Sequence, residues 1–439
     1  LSMMRSCISL LAEKEGQPTH TVTECSGRFR SRLVCSGRES SQGLVLPAEC
    51  YYSWSTFTTP GEEPTMQIET FQMERWQSLH EHDVEINLSD SGAHPRSLSD
   101  LFEPGEIALE GLALGYSPTR GTPELRRAIA ALYPGASTDN VLVTNGGAEA
   151  NFVTIWGLVS AGDEVVVMRP NYGQIEGIVR GLGAEVVPWE LRPDWQAGRW
   201  RADVDALEER VTDGTKLIAI CHPDNPTGAR LCPDEIAAIA VIADRHGAWV
   251  LVDEIYLGLE LDGQETITSW GAGSRWIISN SLSKAYGMPG LRLGWLLGPP
   301  ETIKELWALR DYTTIAPGSY SDRIASAVLA PEVRSKLLAM NCQALAGTLA
   351  IASAWVDEHD FLRAIAPQAG AMFFVEYDAP IGSLELAERL KDEQSVLVVP
   401  GAHFNMEGWL RIGIGSPEES LRRGLDRIAR VLASTLEKS

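Results

Sequence analysis

Between Glu124 and Asp311 the sequence alternates two patterns. Short runs of apolar, largely β-branched residues occur at Val141–Val143, Glu164–Met168, Glu185–Pro188, Leu217–Cys221, Trp249–Val252, Ile277–Ser279 and Leu293–Leu297. Between and around them lie stretches with helical spacing of apolar residues, such as Glu124–Leu132, Asp234–His246 and Ile303–Asp311. Strands that are apolar on both faces need cover on both sides, so the alternation predicts an α/β fold with a mostly parallel, seven-stranded sheet between helices. In such sheets ligands gather beyond the C-terminal strand ends. After about Ser321 the spacing gives one long helix, strands at Ala371–Val375, Val396–Val399 and Leu410–Ile412, and a closing helix from Pro417. The expected organisation is a large domain over 102–320 and a smaller α+β domain over 321–439, to which the N-terminal segment 66–101 also belongs.

The predicted strand ends carry the polar motifs. After Trp276-Ile277-Ile278-Ser279 come Ser281, Ser283 and Lys284, a turn containing Gly287, Pro289 and Gly290, and then Arg292. A lysine held there can form a Schiff base with an aldehyde cofactor, while the serines and the arginine offer donors to a phosphate. Ala248–Val252 ends in Asp253-Glu254-Ile255-Tyr256, which sets a carboxylate at the end of a buried strand where it can pair with a protonated ring nitrogen. Leu217–Cys221 ends in His222-Pro223-Asp224-Asn225-Pro226-Thr227-Gly228, a proline-fixed turn that presents the Asn225 amide. Thr144-Asn145-Gly146-Gly147-Ala148-Glu149 follows another strand and opens a helix whose N-terminal amides an anion can approach.

From about Met66 to the C-terminus, these motifs resemble those of the fold-type I, pyridoxal-5′-phosphate-dependent class I/II aminotransferases. The resemblance implies that Lys284 holds the cofactor as an internal aldimine and then moves the proton on the substrate α-carbon. It implies that Asp253 partners the pyridine nitrogen, that Asn225 and Tyr256 bond the 3′-oxygen, and that Tyr172, in Arg169-Pro170-Asn171-Tyr172, stacks on the ring. Gly147, Ala148, Glu149 through its backbone amide, Ser281, Ser283 and Arg292 match the phosphate cup. Tyr116, in Tyr116-Ser117-Pro118, matches a tyrosine that reaches a neighbouring subunit's phosphate, which implies a homodimer. Arg411, in Trp409-Leu410-Arg411-Ile412-Gly413, matches the arginine that grips the substrate's α-carboxylate, with Gly92 and Asn225 beside the substrate. A planar guanidinium suits that task because it can bind both carboxylate oxygens.

The activity this implies is transamination between an L-amino acid and a 2-oxo acid. A second likeness, to the capreomycidine-synthase-like cyclases, is carried by Ile86–Gly92, Leu282–Arg292, Arg310–Thr314 and Val398–Gly401. That branch implies ring closure of a hydroxylated arginine and needs an acid facing the guanidinium, for which Glu74, Asp90 and Glu110 are candidates. Composition fits an enzyme of small molecules. The net charge of −22 opposes a nucleic-acid surface, and no uninterrupted apolar run approaches the roughly 20 residues of a membrane span. Residues 1–65 lack periodicity and hold Cys7, Cys25, Cys35 and Cys50, four of seven cysteines. They are expected to be a non-native or disordered extension, since Ile8-Ser9-Leu10-Leu11-Ala12 is too short for a signal peptide. A cytoplasmic location is the corresponding expectation.

Overall fold

Alternate residues of the same strands face two different cores. Val143, Val166, Ile218, Val250 and Ile278 point into one, and Leu142, Val165, Leu217, Leu251 and Ile277 into the other. This is the burial that apolar runs without a polar face demand. The structure is a computed structural model describing residues 67–437, so the expected extension and its cysteines lie outside the described residues. Helix Gln72–His80 leads into β1 (Ile86–Asn87). The large sheet is built from β2 (Val141–Thr144), β3 (Glu164–Arg169), β4 (Glu185–Asp194), β5 (Arg199–Ala202), β6 (Thr215–Cys221), β7 (Trp249–Asp253), β8 (Trp276–Ser281) and β9 (Gly294–Leu297). Their order is β2-β9-β8-β7-β6-β3-β4-β5. Strands β4, β3, β6, β7 and β8 are parallel, β9 runs against β8 and β2, and β5 runs against β4.

The eighth strand corrects the expected count of seven. β4 continues past Pro188 to Asp194 and turns back through Gly198, at φ 63°, into β5. Trp189, Leu191, Trp200 and Ala202 are buried along this hairpin. Trp200 lies 5.4 Å from Trp409 and 6.2 Å from Phe374, and Trp195 stacks on Trp409 at 6.0 Å. The hairpin thereby packs on a second, four-stranded antiparallel sheet of β10 (Leu362–Ala364), β11 (Met372–Tyr377), β13 (Val399–Pro400) and β14 (Trp409–Gly413), in the order β10-β11-β14-β13.

Two other expectations need adjustment. The long helix after Ser321 is two helices, Ser319–Val328 and Pro331–Asp357, because Pro331 lacks the N–H needed to continue the first and instead starts the second. The expected strand Val396–Val399 is two short ones: β12 (Val396–Leu397) pairs with β1 in parallel, and β13 pairs with β14. Helix Pro331–Asp357 is 27 residues and is long and apolar enough to cross a membrane. It buries Leu337, Asn341, Leu345, Thr348, Ala352 and Trp355, a single stripe at helical spacing, and lies along β10 and helix Glu418–Leu436.

Candidate active site

Asp253 ends β7 beside Cys221 at the end of β6, and Ser281 ends β8, so the parallel strands deliver three of the motifs to one edge. Asp253 is buried, and burial pushes its carboxyl up to about 6, against the pull of two neutral donors. These are the Asn151 amide, whose Nδ2 donates to Oδ2 at 2.9 Å, and the Ile255 N–H, which donates to Oδ1 at 3.1 Å. No cation is bonded to Asp253 among the described residues. A buried carboxylate with neutral partners suits a protonated ring nitrogen.

Lys284 follows β8, and its Nζ donates to Asp90 Oδ1 at 2.7 Å. Burial alone would raise the Asp90 carboxyl, but the Lys284 charge and hydrogen bond, with the Gly92 N–H, bring it down to about 2. Gly92 packs closely here: a Cβ there would lie 3.2 Å from Lys284 Cδ, and the next residue, Ala93, donates its N–H to the Lys284 carbonyl. Tyr256 and Ser91 share a hydroxyl hydrogen bond of 2.8 Å. Tyr172 donates its hydroxyl to Glu74 Oε1 at 2.8 Å and meets Phe71 edge-on at 4.9 Å.

An anion cradle adjoins Lys284. Gly146, at φ 95°, precedes helix Gly147–Leu158, and a Cβ on it would lie 2.5 Å from Arg292 Nη2. Gly294, at the start of β9, passes so close that its Cβ would lie 2.8 Å from the Gly147 nitrogen. Ser281 and Ser283 are buried, with the Ser283 N–H donating to Ser281 Oγ at 3.1 Å. Arg292 donates to the Pro289 carbonyl and to Ser283 Oγ and has no carboxylate partner among the described residues. Helix-terminal amides, two hydroxyls and a guanidinium bonded only to neutral acceptors among the described residues match a phosphate. The Glu149 side chain turns away from this anion site: it accepts from the Asn145 N–H at 2.6 Å and from Thr314 Oγ1 at 2.6 Å, with buried Arg310 behind it. Ala148 contributes its carbonyl to Gln174 Nε2 at 2.8 Å.

Arg411 comes from β14 in the other sheet and is buried there. Its Nη1 donates to Asn225 Oδ1 at 2.9 Å, and its Nη2 donates to the Ser89 carbonyl. Its Nε is buried with no hydrogen-bond partner among the described residues, a spare donor for a carboxylate. Thus Lys284 and Gly92 meet at Asp90, Arg411 bonds Asn225, and Asp253, Tyr172 and Tyr256 each hold a polar partner, beside the cradle residues. Two expected residues stand outside them. Tyr116 is 86% exposed and has no hydrogen bond to another site residue among the described residues, and Glu110 is exposed. Of the three acids considered, Glu74 and Asp90 do line the site. The residues that sequence reading missed are Asn151, Ser279 and Ser91. A polar Asn151 inside Ala150-Asn151-Phe152-Val153 was the available signal, but only the strand register shows what it meets.

A mostly parallel sheet that brings a lysine, a buried carboxylate and a phosphate cradle to its edge, opposite a buried arginine, defines a fold-type I pyridoxal-phosphate enzyme. Comparison with known proteins agrees: the profile of aminotransferase class I and II matches residues 96–428, and the chain belongs to that family. It is 29% identical over 368 residues to capreomycidine synthase of Streptomyces vinaceus, covering 82% of this chain and 93% of that one. It is 30% identical over 346 residues to the aspartate/prephenate aminotransferase of Thermus thermophilus, covering 74% and 86%. A solved structure, a PLP-dependent aminotransferase from Streptococcus suis, matches with a TM-score of 0.79 at 29% identity, covering 84% of this chain and 99% of that one. The cofactor of the family is pyridoxal 5′-phosphate, and the cradle, the buried Asp253 and the adjacent lysine fit it.

Proposed function

We propose that this chain is an aminotransferase that moves an amino group between an L-amino acid and a 2-oxo acid. The observation that supports the reading is that Lys284, just after β8, and Asp253, at the end of β7, share a site with Arg411, from the middle of β14. Pyridoxal phosphate, when bound, supplies the electron sink that makes the substrate's α-proton acidic. The protein's part is to bind, orient and move protons. Arg411 takes the α-carboxylate, exchanging its Asn225 and Ser89 contacts for a bidentate grip that fixes which α-carbon bond faces the lysine. Lys284 Nζ would take the α-proton and return it to a carbon two bonds away, and Asp90, 2.7 Å from that nitrogen, balances its charge. Ser281, Ser283, Arg292 and the Gly147 and Ala148 amides anchor the phosphate, and Asn225 and Tyr256 attend the 3′-oxygen. Tyr172 closes one face of the ring.

A second reading rests on a specific feature. Asp90 beside the reacting lysine and Glu74 on the Tyr172 hydroxyl give the site two carboxylates, which suit a cationic substrate side chain, as in ring closure of a hydroxylated arginine. One experiment separates the two. The purified protein is scanned for cofactor absorbance while single amino acids, including arginine and its hydroxylated forms, are added without an oxo acid. Conversion of the cofactor to its amine form with one equivalent of oxo acid released is the result expected of an aminotransferase. Catalytic turnover of a hydroxyarginine with the absorbance unchanged would establish the cyclase instead.

A further inference from the structure

We propose that Asn151 and Ser279 form a neutral relay that holds the Asp253 carboxylate in place and in its anionic form, making Asn151 a positioning residue for the cofactor's ring nitrogen. The inference rests on the reading that Asp253 faces that nitrogen. Asn151 lies one turn into the helix that begins at the phosphate cradle and is only 2% exposed, among buried Ala150, Val153 and Ile155. An amide in such a place is costly unless both of its ends are paired.

Both ends are. Ser279 is the in-register partner of Asp253 on β8, is fully buried, and donates its hydroxyl to Asn151 Oδ1 at 2.6 Å. The amide nitrogen then faces Asp253 Oδ2 at 2.9 Å, with Gln174 Oε1 as a weaker second acceptor at 3.5 Å. The reverse orientation would set the amide oxygen against a carboxylate oxygen. With Ile255 N–H on Oδ1, each carboxylate oxygen has one neutral donor and keeps a lone pair for the ring proton. A lysine or arginine in place of Asn151 would cancel the charge that the pyridinium needs; an amide steadies it without cancelling it.

The titratable groups around Asp253 give no such help. Cys221 on β6, Tyr172 and Tyr256 are all pushed up, chiefly by burial, and Glu254 is raised by burial to about 7. These groups are neutral or add negative charge, so the anionic form of Asp253 leans on the two N–H donors. The structure thereby assigns to Asn151 a part of the electronics otherwise credited to Asp253 alone.

The test uses the loaded enzyme with cofactor isotope-labelled at the ring nitrogen, whose chemical shift reports protonation. Asn151→Leu is expected to lower the pH midpoint for loss of the ring proton by about one unit. Ser279→Ala, which removes a single hydroxyl and carries the test alone if Asn151→Leu does not fold, is expected to shift it in the same direction by less. Asp253→Asn serves as the reference. Unchanged midpoints in both relay variants, with a clear drop in Asp253→Asn, would overturn the relay and leave the reading of Asp253 standing. An unchanged midpoint in Asp253→Asn would overturn both.

Discussion

Asp253 is a carboxyl placed against its own preference, and its ionisation sets a pH dependence that can be signed. Burial lifts it from the ordinary carboxylate range to about 6. A carboxyl raised on folding stabilises the fold while protonated; that contribution is complete below about pH 4 and is lost as pH rises through about 6. The anion is the form that pairs with a protonated ring nitrogen, so the bound cofactor offsets the loss. The gap in melting temperature between loaded and cofactor-free protein is therefore expected to widen from about pH 5 to about pH 7.5, and to stay flat in Asp253→Asn. Thermal melts of the four samples across that range check it; a gap independent of pH in the wild type would refute the assignment. Asp253, Lys284 and Arg411 were legible in the sequence because each sits in or just after an apolar run, and charge there asks for a reason. Asn151 was not, since one asparagine inside a helical pattern has no motif, and its meaning comes from Ser279 arriving in register with Asp253. Glu74 and Asp90 could not be told from Glu110 without the fold.

At the level of elements, the start of helix Gly147–Leu158 is the tightest joint in the site. Gly146 holds a positive φ of 95° with the nearest Arg292 nitrogen 2.5 Å from where a Cβ would be, and Gly294 crosses behind it. Gly146→Ala is expected to weaken cofactor binding about tenfold or more, with a stability loss of about 1–3 kcal/mol from the strained backbone. Cofactor titration alongside a melt checks this, and unchanged affinity would show that the cradle does not depend on that joint. Apolar runs made the seven strands readable, because β-branched residues buried on both faces leave no other element to form. Strand β5 escaped because Arg199-Trp200-Arg201-Ala202 alternates charge with a buried residue and only closes against β4. The break at Pro331 was written in the sequence as a proline and was overridden by the apolar spacing that runs across it.

For the whole molecule, several large side chains remain exposed. Leu114, Tyr116, Tyr312, Ile315 and Tyr320 are large, apolar and exposed, and Ile315 holds φ 66°, an unusual place for a β-branched residue, in the loop that Asn145 and Glu149 secure beside the cradle. Our reading is a homodimer in which Tyr116 serves the partner's phosphate. Tyr116→Ala is then expected to weaken cofactor binding several-fold although the residue is exposed on its own chain. Sedimentation and cofactor titration check the two halves together; a monomer with wild-type affinity in the variant would reject the arrangement. The hairpin of β4 and β5 has a consequence of its own. Trp409 lies two residues before Arg411 and packs against Trp195, Trp200 and Phe374. Freeing the strand that bears the guanidinium means parting those rings, so β14 and the hairpin should open to solvent as one cooperative unit, with their amides exchanging hydrogen together rather than strand by strand.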